Sequence, residues 1–146
     1  MIKNQKQLGA TKAQIVAFKK ALEQPEERPD QVDPILWQAR FDDIADQLSQ
    51  MEAEVREYEA LANEQEAVIE INSLADLPAA LIKARIAAHL TQKQLGQKIH
   101  KAEQQVQRWE AEGYQSASFN NIQLIAEALE IQFAEKPQLT INKKSH

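Results

Sequence analysis

Leu90-Thr91-Gln92-Lys93-Gln94-Leu95-Gly96-Gln97-Lys98-Ile99, then His100-Lys101, then Ala102-Glu103-Gln104-Gln105-Val106-Gln107-Arg108-Trp109-Glu110, reads as two short helices meeting at a tight corner. Thr91 is a capping residue type, Leu95 and Ile99 lie one turn apart and face inward, and His100 and Lys101 make the corner. On a wheel of about 100° per residue, Val106 and Trp109 define the underside of the following helix. Gln104 and Arg108 point the opposite way with Gln107 beside them, and Glu103 and Gln105 sit on the flanks. Arg can fork onto guanine and Gln can pair with adenine. Gln104 and Arg108 are one turn apart, about 5.4 Å, so they can meet neighbouring base pairs from one groove. A glutamine-rich face by itself is what a solvated surface looks like. Two capped helices, a short corner and outward Gln and Arg together point to duplex DNA.

Working outward, Asp76 and Pro78 open a helix over 77–89 with Leu81, Ile82, Ile86 and Leu90 as its buried side. Beyond the polar turn at Gly113-Tyr114-Gln115, Ser118 caps a fourth helix with Phe119, Ile122, Ile125 and Leu129 in register. Gln92, at the start of its helix, would aim its amide and the free N–H groups of that helix at phosphate. Lys93 and Lys101 add positive charge nearby.

This run, from Leu90-Thr91-Gln92 to Glu110 and on to Ile122-Gln123-Leu124-Ile125-Ala126-Glu127-Ala128-Leu129, resembles the Xre (Cro/cI-type) helix-turn-helix domain over residues 77–133. The resemblance implies four or five helices, the third in the major groove, and dimers reading two half-sites about one DNA turn apart. It makes Gln92 the phosphate-contacting glutamine, Glu103 and Gln104 base-reading positions with Arg108 one turn later, and Glu110 a structural residue. The sequence departs from that pattern at several places. Gly96 replaces the usual Ala, which costs a helix about 1 kcal/mol, and His100 replaces the corner Gly. Lys101 stands for an apolar residue and Ala102 for a Ser or Thr cap. Glu103 would repel phosphate unless it accepts a hydrogen bond from cytosine. The layout of an N-terminal hairpin before such a domain is similar to HigA-type antitoxins, which bind a toxin and repress their own operon.

The N-terminal half has different grammar. Thr11 is placed to cap a helix over 11–23, whose Ile15, Phe18 and Leu22 form one stripe. Residues 24–33, with Pro25 and Pro29, are the connector, and Asp33-Pro34 restarts the chain as cap and first helical residue. Trp37, Phe41, Ile44, Leu48, Met51, Val55, Tyr58 and Ala62 then alternate steps of four and three, the seam of a coiled coil or antiparallel bundle. The first helix spans about 20 Å and the second about 40 Å, so half the seam is left over. Phe41, Ile44, Leu48, Met51, Val55 and Tyr58 are the expected homodimer interface. The other readings of the stripe are packing on the C-terminal half of the same chain and docking of another protein. Glu52, Glu54, Glu57, Glu59, Glu64 and Glu66 would suit a basic partner such as a toxin. Ala67-Val68-Ile69-Glu70-Ile71 and Gln138-Leu139-Thr140-Ile141 have the near-alternation of short strands, each the other's natural mate.

Composition sets the outer limits. The 146 residues hold no cysteine, which excludes disulfides and thiolate metal sites. His89, His100 and His146 share no pairing at helical spacing, so no metal is expected, and three scattered glycines cannot build a phosphate-cradling loop. With no nucleophile–base arrangement the expectation is a non-enzyme without cofactors. No apolar run approaches the ~20 residues that cross a bilayer, and the start lacks a signal-peptide segment, so a cytoplasmic protein with no membrane partner is expected. The net charge is −5, divided as −8 over residues 1–76, +1 over 77–133 and +2 from 134 onward. A domain of +1 is a modest phosphate footprint, and pairing two copies would enlarge it. The expected fold is mainly α: a helical hairpin over 1–66, a helix-turn-helix DNA-binding domain over 67–136 and a tail over 137–146, with one short strand pair if the two alternating stretches meet. The function this implies is a homodimeric operator-binding regulator, often of its own operon, with an antitoxin-like protein binder as the alternative.

Overall fold

The computed structural model describes residues 1–63 and 67–143. Glu64, Glu66 and His146, named above, lie outside them. Among the described residues six α-helices follow one another: α1 (Gln5–Glu23), α2 (Pro34–Asn63), α3 (Leu77–Ala87), α4 (Gln92–Ile99), α5 (Glu103–Ala111) and α6 (Phe119–Ala128), with a 3-10 turn at Leu74–Asp76. The fold is mainly helical, as the composition and periodicity predict. Among the described residues there is no strand, which corrects the expected pairing of 67–71 with 138–141. A two-stranded ladder needs a core face to cover, and these stretches have none: Val68, Leu139 and Ile141 are all exposed.

The hairpin differs from expectation in its first helix. Asn4, not Thr11, is the cap; its side chain accepts the Gln7 backbone N–H at 2.8 Å. The stripe therefore begins with Leu8, buried, seven residues before Ile15. The lengthened α1 packs along α2, whose Phe41, Ile44, Leu48 and Met51 are half-buried. Farther along α2, Val55, Tyr58, Leu61 and Ala62 pack into one apolar cluster with Leu81, Ile82 and Ile86 of α3. Much of the surplus seam is thus covered within the chain, by a longer α1 at one end and by α3 at the other.

Lys12–Glu59 (2.6 Å), Lys19–Glu52 (3.2 Å) and Lys83–Glu57 (3.0 Å) tie the hairpin across its helices and to α3. The terminal amino group lies 3.8 Å from Glu54. These exposed pairs contribute little individually, but they engage four of the glutamates that the sequence offers to a basic partner.

The four short helices of the C-terminal half stop by one device. Helices α3, α4 and α6 each end at a non-glycine residue with positive φ: His89 (57°), His100 (58°) and Glu130 (54°). In each case the next N–H reaches back five residues: Leu90 to Arg85 O (3.1 Å), Lys101 to Gly96 O (2.8 Å) and Ile131 to Ala126 O (3.0 Å). Helix α5 closes similarly, through Gly113 and Tyr114, with Tyr114 N–H on Trp109 O at 2.7 Å. This is the Schellman closure, built here mostly without glycine.

Candidate DNA-binding surface

The corner between α4 and α5 follows from local chemistry. The Thr91 hydroxyl accepts the Gln94 backbone N–H (3.0 Å), and the Gln94 side chain accepts the Thr91 N–H (2.9 Å), a reciprocal capping box. His100 takes the left-handed conformation and turns the chain. At Gly96 an added Cβ would stand 2.6 Å from the Lys101 carbonyl oxygen, so an alanine there would force the backbone to shift. The glycine that costs propensity in an isolated helix here leaves room for the Lys101 carbonyl.

Helix α5 has two opposed faces. Val106, Trp109 and Glu110 are buried, with Val106 wholly inaccessible. Glu103, Gln104, Gln107 and Arg108 are exposed and Gln105 is intermediate. Lys93 and Lys101 are exposed as well, so seven of the eight expected DNA-facing residues retain accessible side chains. Gln92 is the exception. It is buried and one amide N–H donates to Glu110 Oε1 at 3.1 Å, leaving a single amide hydrogen and the N–H groups at the start of α4 for a phosphate.

Beneath this surface lies a buried ionic cluster that the sequence reading does not single out. Arg85, in the apolar run of α3, sends Nε and Nη2 to the two carboxylate oxygens of Glu110, each at 2.8 Å. Its Nη1 donates to Leu90 O (2.9 Å) and Nη2 also to Lys3 O (2.6 Å). Lys3 Nζ returns a bond to the Glu110 carbonyl at 3.2 Å, while Ile2 is buried in the core. The start of the chain thus docks on both α3 and the end of α5. The structural role expected of Glu110 is borne out by these bonds. The signal for Arg85 is its place in the stripe Leu81, Ile82, Arg85, Ile86; for Lys3 there is no local signal.

Next to this cluster, Tyr114 stacks on Trp109 at 6.5 Å between ring centroids. Among the described residues its buried hydroxyl finds no hydrogen-bond partner. Burial, and then the nearby Glu110 charge, push its phenol well above the usual value near 10. Among the described residues no cluster of His, Asp or Glu is arranged to hold a metal ion, and no helix is long and apolar enough to cross a membrane.

A capped helix, a left-handed corner and a second helix with an open polar face define a DNA-binding helix-turn-helix protein. Residues 81–136 match the helix-turn-helix family model, and over those residues the chain is similar to that family. The match begins at Leu81 in α3 and runs past α6, covering the capped corner and both of its helices. No curated protein and no solved structure matches the chain.

Proposed function

We propose that this protein is a sequence-specific transcriptional regulator that binds its operator as a homodimer, with α5 in the major groove, and that the operator lies upstream of its own gene. The observation that carries the reading is the division of α5: Val106, Trp109 and Glu110 are buried while Gln104, Gln107 and Arg108 are left to solvent. In this reading Gln104, Gln105, Gln107 and Arg108 meet base edges, and Lys93, Lys101 and the start of α4 at Gln92 meet phosphates.

A helix of nine residues is about 13 Å long and spans only a few base pairs. Two copies supply the second half-site and a larger positive footprint. For the contact between copies the hairpin retains the half-buried Phe41, Ile44, Leu48 and Met51 and the exposed Ile35 and Leu36. Val55 and Tyr58 are engaged in the core of their own chain.

The test is a gel-shift titration of DNA from upstream of its own gene at two salt concentrations. Arg108→Ala should weaken binding by about 1–3 kcal/mol, and wild-type affinity should fall with salt. Equal binding by the two proteins removes α5 as the reader.

A second reading, that the hairpin neutralises a basic partner protein as antitoxins do, draws on Asp42, Asp43 and Asp46. These remain exposed on α2, where Asp42 accepts from the Gln38 amide at 3.2 Å and Asp43 from the Gln47 amide at 2.8 Å. A small basic protein that co-purifies and is released by charge reversal at these three positions supports it.

A further inference from the structure

On α5 the Gln107 amide Nε2 donates to Glu103 Oε1 at 3.2 Å, with both side chains exposed. An amide that turns its nitrogen toward a carboxylate turns its oxygen away from it. The two side chains therefore form a patch dominated by acceptor oxygens: both carboxylate oxygens and the amide oxygen, with one amide hydrogen engaged. Glu103 also stands in the first turn of its helix. Around the wheel, Glu103 and Gln107 make one column and Gln104 and Arg108 the next, about 100° apart.

We infer that Glu103 and Gln107 act as one acceptor unit that reads cytosine in the major groove, beside a guanine gripped by Arg108. The inference rests on the reading of α5 as the DNA-contacting helix. Base chemistry selects among the four edges. Thymine offers O4 and guanine offers O6 and N7, so each meets the carboxylate oxygen to oxygen. Adenine sets its N7 acceptor beside the N6 amino group. Cytosine alone shows a donor, N4, with no acceptor next to it. A carboxylate also lowers affinity for every wrong base through repulsion, so the unit selects by exclusion as much as by attraction. Gln107 is the positioning partner: its bond holds the carboxylate on the groove side of the helix.

The experiment is selection of duplexes from a random library by the full-length protein, in parallel with Glu103→Gln and Gln107→Ala. Both sites are exposed, and unchanged circular dichroism checks that the fold is kept. The wild type should enrich sites with cytosine preferred by about tenfold or more at one half-site position. Glu103→Gln should lose that preference at that position, admitting adenine, and keep the guanine read by Arg108. Gln107→Ala should reduce the cytosine preference without abolishing it. Enriched sites in which Glu103→Gln alters no position overturn the acceptor unit and leave α5 as the reader. A wild type that enriches no sequence overturns the reading of α5 itself.

Discussion

The hairpin and the helix-turn-helix half solve the same problem, holding helices together, by opposite means. In the hairpin, 19 and 30 residues of helix lie along a half-buried seam, their charges joined in exposed pairs across the groove. In the other half, helices of 8 to 11 residues are too short to persist alone. They are fixed by caps, left-handed closures and a buried ion pair whose side chains are 2% and 0% exposed. Length can replace detail. Where the helices are short, single atoms carry the structure, and the polar surface of α5 is left open to a ligand because its support comes from underneath.

The sharpest way to break this contrast is at Glu110. Glu110→Ala leaves the Arg85 guanidinium buried without its counter-charge and should cost about 3–5 kcal/mol, read by urea denaturation. Removing an exposed hairpin partner, as in Glu59→Ala, should cost no more than about 1 kcal/mol. Comparable losses at the two sites would erase the distinction.

A second comparison uses one substitution in two places. Gly96→Ala places a methyl group against the Lys101 carbonyl, and backbone must move; a loss of about 1–3 kcal/mol is expected. Gly9→Ala, in the interior of α1 with nothing within 4 Å of the added carbon, should gain about 0.5–1 kcal/mol from helix propensity. Thermal unfolding of both variants reads the opposite signs directly.

The smallest effect concerns alkaline pH. Folding raises the Tyr114 phenol pKa, so the folded chain keeps a proton that the unfolded chain releases above about pH 10. The stabilisation is complete below that value and declines as pH rises further, by up to about 1.4 kcal/mol per pH unit. Tyr114→Phe should remain close to wild type at neutral pH and remove this share of the alkaline slope. An unchanged slope would mean that the hydroxyl is solvated in the folded state.

What could be read from the sequence was local. Thr91 and Gln94, Ser118 with the Asn121 N–H, and the spacing of Leu95, Ile99, Val106 and Trp109 act within a turn or two, and the helices they mark are where they were expected. What escaped depends on distant neighbours. Arg85 lies in an apolar stripe, but its partner Glu110 is 25 residues on. Lys3 meets Arg85 across 82 residues, and Gly96 looks like a weak point until the approach of Lys101 is known. The start of α1 is ambiguous in the sequence for another reason: Asn4 and Thr11 are both capping types, and the burial of Leu8 decides between them. The outward face of α5 was legible because it is what the underside leaves free. Gln92 was not, because its role is set by Glu110 from below.

The most direct test of the account is a titration of the isotope-labelled chain with a selected duplex, followed by amide and side-chain NMR shifts. With α5 as the reader, the largest changes should fall on the Gln104, Gln107 and Arg108 side chains and on the first amides of α4, with the Trp109 and Val106 signals and the outer hairpin nearly still. Changes centred on α1 and α2, with the open face of α5 silent at saturating DNA, would contradict it.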